Sequence, residues 1–295
     1  MKLSVVTTIT NPDERQDKWR EALACYCAFA DEVVVVNGGK PIISKTSKAV
    51  NGLMFYLESI SPENESYVDK TKEVMLPWPH EWNWIELPRH LNAGLEACTG
   101  DWCLKIDADQ FIHENDFDAV REMLLGCPDN IDVLTFQKMS MTYGGKYFQK
   151  GGQPIAFRRK DYIKIGKDVD KHTDLCFPIK VTGYEKVNDY QLPCGTELTR
   201  EKTGISYWNY DYFFKDKRFT KREFWRFSKA YHRYFDEWTF GSNSDKSFRV
   251  FLNMMKGRHD KAPYTYKLED HPKYIKEAVR NLKESQFGHS AWGEL

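Results

Sequence analysis

Asp107 and Asp109 stand two residues apart, directly after the mostly apolar run Asp101–Ile106 (DWCLKI). Two carboxylates at i and i+2 past a strand can point together into the crevice outside the strand ends, where open α/β sheets bind ligands. Hard oxygen ligands of this kind hold Mg²⁺ or Mn²⁺, usually shared with substrate phosphates. Taken alone, an acidic pair after a strand is as often a solvated turn or a helix cap. Its meaning depends on the elements that position it.

Those elements read as α/β. Leu3–Ile9 is a β-branched apolar run closed by the turn Asn11-Pro12-Asp13, and a helix is expected over residues 14–30. Val33–Val36 is another apolar strand, ended by Asn37-Gly38-Gly39. Two buried strands joined by a helix make a βαβ unit with parallel pairing. A strand at Glu73–Leu76 and a helix at Leu87–Cys98, with Thr99-Gly100 as its C-cap, lead into the strand that delivers Asp107 and Asp109. A helix near Asp116–Leu125, strands at Val133–Gln137 and Ile155–Arg159, and glycine turns at 144–145 and 151–152 follow.

The order Arg89-x-x-Asn92-x-Gly94, Thr99-Gly100-Asp101-Trp102, apolar strand, Asp107-Ala108-Asp109 resembles the core motif of family 2-like glycosyltransferases of the GT-A fold. Thr7-Thr8 closing the Leu3–Ile9 strand and Asn37-Gly38 closing the Val33–Val36 strand are similar to that fold's nucleotide-binding half. The resemblance spans residues 3–40 and 73–160. It implies a GT-A-like, Rossmann-type mixed sheet flanked by helices, a nucleotide-diphosphate-sugar donor and a hydroxyl acceptor on a glycan, lipid or protein. It further implies Mn²⁺ or Mg²⁺ at Asp109 and Asp107, with Thr7, Thr8, Asn37, Arg89, Asn92 and Asp107 around the base, ribose and diphosphate. An inverting transfer would need a carboxylate base some tens of residues further on. There the segment GKDVDKHTD holds Asp168, Asp170, His172 and Asp174, of which Asp170 and Asp174 are the candidates. A retaining enzyme would need no such base. Where many GT-A enzymes place a late metal-binding His, ISYWNYDYF has Asn209 and Asp211; Asn209 is taken as the third metal position.

The chain has 295 residues with 43 Lys plus Arg against 43 Asp plus Glu, which argues against whole-chain nucleic-acid binding. No stretch approaches the roughly 20 apolar residues of a membrane span, and the expectation is a soluble, cytoplasmic protein. Seven cysteines without a CxxC pair read as reduced thiols. The absence of GxGxxG excludes a nicotinamide dehydrogenase fingerprint. A nucleotidyltransferase would open with a glycine-rich loop after the first strand, and TTITNPDER has no glycine. The alternative from another class is a non-catalytic GT-A-like protein that binds a glycan or a membrane surface.

The C-terminal third changes character. Fifteen aromatic residues fall between Tyr207 and Phe240, and Lys215–Arg233 carries eight Lys or Arg against two acids. Thr220 and Glu223 form a capping-box pattern, and aromatics and arginines take separate faces of the helix expected after it. A catalytic domain over 1–205 and an aromatic, basic helical extension over 206–295 are expected. The aromatic stripe is expected to pack on the α/β domain with the arginines towards water; acceptor recognition and weak peripheral membrane contact are the other two roles for this helix.

Overall fold

The computed structural model describes residues 1–39, 67–79, 84–168, 177–187 and 190–293. Strands β1 (Leu3–Ile9) and β2 (Glu32–Asn37) are buried along nearly their whole length, so both faces of the sheet they start must be covered. Helix α1 (Trp19–Phe29) covers one face, packing Trp19, Leu23 and Tyr26 into a core with Val5, Val33 and Val35. Helix α2 (Glu86–Ala97) covers the other, setting Leu91 and Leu95 against Val6, Val34 and Val36. Gly94 lets α2 approach: a Cβ there would lie 2.4 Å from Val6 Cγ2 and 2.7 Å from Val36 Cγ2. At the amino ends of the strands, the buried carboxylate of Glu32 accepts from Ser4 Oγ at 2.6 Å and Thr99 N at 2.7 Å, and pairs with Lys72.

The sheet continues through β3 (Thr71–Met75), β4 (Trp102–Lys105), β5 (Gln110–Ile112), β6 (Val133–Met141), β7 (Lys146–Arg158), β11 (Arg200–Asn209) and β12 (Tyr264–Thr265). Its order is β3-β2-β1-β4-β7-β6-β11-β5, with β12 added on β7. Strands β3, β2, β1 and β4 run parallel. β7 is antiparallel to β4 and β6, and β5 is antiparallel to β11, which makes the sheet mixed, as expected. The chain leaves β1 towards β2 and returns on the other side as β4. That reversal opens a crevice at the carboxyl ends of β1 and β4. α3 (Phe117–Gly126) follows β5 and packs Val120 and Leu124 into the same core as α1.

A smaller, three-stranded sheet of β8 (Ile163–Asp168), β9 (Phe177–Val187) and β10 (Tyr190–Thr196) sits against α2. Asn92 joins them: its Nδ2 donates to Ile165 O at 2.7 Å and its Oδ1 accepts from Ile165 N at 2.8 Å. After β11, α4 (Lys217–Phe235) and α5 (Ser244–Asp260) enclose their own core of Phe224, Phe248, Phe251, Met255 and Phe287, the aromatic-rich helical region expected from the sequence. α6 (Lys273–Arg280) returns Tyr274 and Ile275 to the main core.

Several boundaries differ from the sequence expectation. α1 starts at Trp19 rather than Glu14, because residues 12–16 form turns. α4 starts at Lys217 and is capped by Asp216, whose Oδ1 accepts from Phe219 N at 2.7 Å; Glu223 is drawn into ion pairs instead of a capping box. Gly144 and Gly145 do form a turn, at φ 66° and 70°, but Gly151 and Gly152 lie inside β7. β11 carries on past residue 205 to Asn209 before the helices begin. Cys25, Cys27, Cys98 and Cys103 are buried free thiols.

Candidate active site

The turn that carries the two carboxylates is fixed from below. After β4, Ile106 N donates to Val6 O at 3.1 Å, keeping the chain beside β1 until Asp107. Gln110 N donates to Asp107 O at 2.9 Å and closes the turn. The buried Tyr26 hydroxyl from α1 lies 2.6 Å from Asp107 O and 2.9 Å from Gln110 O, so it can donate to either carbonyl. Strand β5 then pairs with the end of β11, with Gln110 opposite Asn209. Gln110 Nε2 donates to Asp107 Oδ2 at 3.1 Å and to Asn209 Oδ1 at 3.3 Å. Tyr210 N donates to Asp109 O at 2.8 Å. One short antiparallel pairing therefore sets Asp107, Asp109, Asn209 and Asp211 along one cleft of about 430 Å³.

The opposite wall comes from the turns after β1 and from α4. Asp17 is shared by Arg15 Nε at 3.0 Å and Lys215 Nζ at 2.9 Å. Glu223 of α4 faces Arg15, Arg222 and Arg226 at 3.4, 3.3 and 3.1 Å. As expected, Arg222 and Arg226 are exposed to water, and they stand at the rim of the cleft. The aromatic side does pack, but against α5 and Trp84, in a core of its own rather than over the sheet.

The electrostatics follow from this crowding. Burial raises the Asp109 carboxyl, and repulsion from Asp211 and Asp107 adds to it beyond what Lys215 offsets, to about 7. Burial also raises Asp211, against the pull of Lys215, Lys138 and Arg258. Burial disfavours charge on Lys215 as well, but Asp17, Asp109 and Asp211 outweigh it and its pKa rises. The site thus holds repelling carboxylates beside lysine and arginine side chains kept charged.

Of the residues singled out in the sequence, Thr8, Asp107, Asp109 and Asn209 line this cleft. Thr7 is buried at the end of β1, and its Oγ1 has no hydrogen-bond partner among the described residues. Asn37 Nδ2 donates to Glu73 at 2.6 Å and its Oδ1 accepts from Gly39 N, which shapes the loop after β2. Arg89 pairs with Glu86 at 3.0 Å along α2. Asn92, expected at the nucleotide, has both ends of its amide on the backbone of Ile165. Asp170, Asp174 and His172 lie outside the described residues. Arg15, Asp17, Gln110 and Lys215 are functional candidates that the sequence does not mark, because short-range spacing carries no sign of pairings across 99 to 208 residues.

Asp107, Asp109, Asn209 and Asp211 offer hard oxygen atoms, and their mutual repulsion is what a divalent cation would relieve. Among the described residues, no three His, Cys, Asp or Glu side chains form a ready-made metal cage. That set fits a cation held by one or two carboxylates and completed by ligand phosphates rather than a site built from protein alone.

No protein-family model and no curated protein matches this chain. Among solved structures it is similar to Staphylococcus aureus TarS residues 1–349 in complex with UDP, at 21% identity and a TM-score of 0.30 over 48% of this chain and 36% of that one. For S. aureus TarS the values are 14% and 0.37 over 93% and 47%. For glucosyl-3-phosphoglycerate synthase from Mycobacterium tuberculosis with Mg²⁺ and UDP they are 15% and 0.29 over 49% and 44%. The chain thus spans less than half the length of each of these three. At such scores the chemistry rests on this chain's own residues. Among the described residues, no helix is long and apolar enough to cross a membrane.

Proposed function

We propose that the chain is a glycosyltransferase that moves a sugar from a nucleotide-diphosphate donor to a hydroxyl acceptor. The observation that carries this reading is the cleft at the β1/β4 reversal, where Asp107, Asp109 and Asp211 stand beside the charged Lys215 and Arg15. Cleaving a sugar–diphosphate bond builds negative charge on the leaving oxygen, and fixed positive charge in a partly dry cleft stabilises it. A bound Mg²⁺ or Mn²⁺ at Asp107, Asp109 and Asn209 would add positive charge at the diphosphate oxygens.

The chain's own residues supply the rest. Lys215 and Arg15, anchored by Asp17, present cations that need no reorganisation when the charge develops. Gln110 keeps Asp107 and Asn209 in register. Thr8, which lines the cleft near the end of β1, would hydrogen-bond the nucleotide, with Thr7, Asn37 and Arg89 in the surrounding shell. Asn92 holds the smaller sheet beside that shell. For an inverting transfer, Asp170 or Asp174 takes the proton of the acceptor hydroxyl.

The test is incubation with a panel of UDP-, GDP-, CDP- and dTDP-sugars and Mn²⁺, reading release of the nucleoside diphosphate with and without glycan acceptors. Release from one nucleotide class, lost in Asp109→Asn, supports the reading. Binding of a nucleoside diphosphate without turnover of any donor would favour a non-catalytic binding protein.

A further inference from the structure

Three guanidinium groups, from Arg15, Arg222 and Arg226, converge on the single carboxylate of Glu223. Asp17 and Glu14 add two more carboxylates, but Asp17 is shared with Lys215 and Glu14 pairs with Arg222 at 3.1 Å. The inner cations, Arg15 and Lys215, also face Asp109 and Asp211 deeper in the cleft, so the free positive character lies at the outer arginines. Arg222 and Arg226 are these outer members of the cluster, with about half of each side chain exposed (49% and 53%), and they line the mouth of the cleft. Exposed ion pairs of this kind exchange partners readily, so an incoming oxyanion can take the place of Glu223 or Glu14.

The positive face does not stop at the mouth. Positions 222, 226, 229 and 233 share one side of α4, and at 1.5 Å per residue they extend over about 16 Å. That is longer than a diphosphate. Beside this side lie two indoles: Trp225 and Trp238 stack at 5.7 Å with 16° between their planes, and Lys229 Nζ stands 5.6 Å from the Trp225 ring. Trp238 is 41% exposed and backed by His232, stacked at 3.9 Å. Flat indole faces are platforms for sugar rings, which present apolar C–H groups.

We propose that this face of α4 is a binding track for the acceptor, and that the acceptor is an anionic oligosaccharide bearing carboxylate, phosphate or sulfate groups. An anionic group of the acceptor seats on Arg222 and Arg226 at the cleft mouth, and the following sugars run along Lys229 and the Trp225–Trp238 pair. The inference deepens the glycosyltransferase reading and rests on it. A lipid surface fits less well, because the apolar side of α4 is used up against α5 and leaves only the Trp225–Trp238 pair to enter a bilayer.

The experiment titrates nucleotide-free full-length protein with a hexagalacturonate, a heparin hexasaccharide and neutral maltohexaose by calorimetry, and sediments it with phosphatidylserine vesicles. The expected result is salt-sensitive binding of at least one anionic hexasaccharide, at least tenfold tighter than maltohexaose. R222Q/R226Q should weaken it at least tenfold while the response to a nucleoside diphosphate persists. K229Q/W238A, outside the cleft, should weaken it at least threefold and serves should the first variant not fold. Binding of neither anionic sugar, equal binding of maltohexaose, unchanged affinity in the variants, or sedimentation with vesicles in place of glycan binding overturns the proposal. So does loss of nucleotide binding in folded R222Q/R226Q, which would assign the arginines to the donor. Because no nucleotide is present in the glycan titration, a missing nucleotide response counts against the donor reading and a missing glycan response against this one.

Discussion

Gln110 ties Asp107 to Asn209: its Nε2 lies 3.1 Å from Asp107 Oδ2 and 3.3 Å from Asn209 Oδ1, while its Oε1 accepts from Asp107 N at 3.2 Å. One side chain therefore joins the turn after β4 to the end of β11, 99 residues later. Gln110→Leu keeps the volume and removes all three bonds. Asn209 is buried and left unsatisfied, whereas the 42% exposed Asp107 side chain can turn to water, so the loss should be about 1–3 kcal/mol of stability. Affinity for a nucleoside diphosphate with Mn²⁺ should fall about tenfold by calorimetry, since Asp107 and Asn209 lose their common support; unchanged affinity would show that the tie does not shape the site.

Asn92 gives a clean separation of scaffold from site. Asn92→Ala strands the N–H and C=O of Ile165 and should destabilise the protein by about 2–4 kcal/mol in urea unfolding. Nucleotide affinity measured below the transition should stay within about twofold. A large affinity loss at unchanged stability would instead put the amide on the nucleotide.

Glu32 should set the acid limb of the stability curve. Burial alone would raise its carboxyl, but Lys72, Ser4 and Thr99 outweigh it and hold the pKa at about 2, against the usual 4.5. A lowered folded-state pKa means stability that is fully present above about pH 4.5 and lost as pH falls towards 2. After discounting for the half-exposed lysines, this amounts to about 2–3 kcal/mol. Glu32→Gln should be less stable than the wild type by that amount at pH 7, and the gap should narrow steadily on acidification from pH 5 to pH 2.5. A gap independent of pH would remove the charge from the explanation.

Asp170 and Asp174 carry the proposal for the base. The Asn variant of the true base should bind nucleotide normally yet lose about 10²-fold or more in kcat. Wild-type rates in both variants would end that assignment.

The parallel half of the fold is legible in the sequence because its strands are continuous β-branched runs and α2 ends in Thr99-Gly100, and Gly94 and Gly100 prove to be positions where only a missing Cβ allows the packing. The carboxylate pair is legible for the same reason, since it follows a strand directly. The smaller sheet is not, because β8 offers only Ile163 and Ile165 as apolar residues, and Lys180, Glu185 and Lys186 interrupt β9, which exposes much of its length. Lys215 is hidden in sequence within a run of surface-like cations, and only the fold places it, 5% exposed, on Asp17. Glu223 has the local spacing of a cap, whereas its partner Arg15 lies 208 residues away.

The central claim is that Asp109 and its neighbours form a metal-assisted site for a nucleoside diphosphate. It is tested most directly by thermal-shift titration of the wild type and Asp109→Asn with UDP, GDP, CDP and dTDP, each with and without Mn²⁺. Binding to the native state raises the melting temperature by mass action, and a ligand at 100 times its Kd adds about 2.7 kcal/mol. One nucleotide should stabilise the wild type clearly more with Mn²⁺ than without, and Asp109→Asn should lose this metal-dependent part. No shift with any nucleotide, or an equal metal-dependent shift in Asp109→Asn, would contradict it.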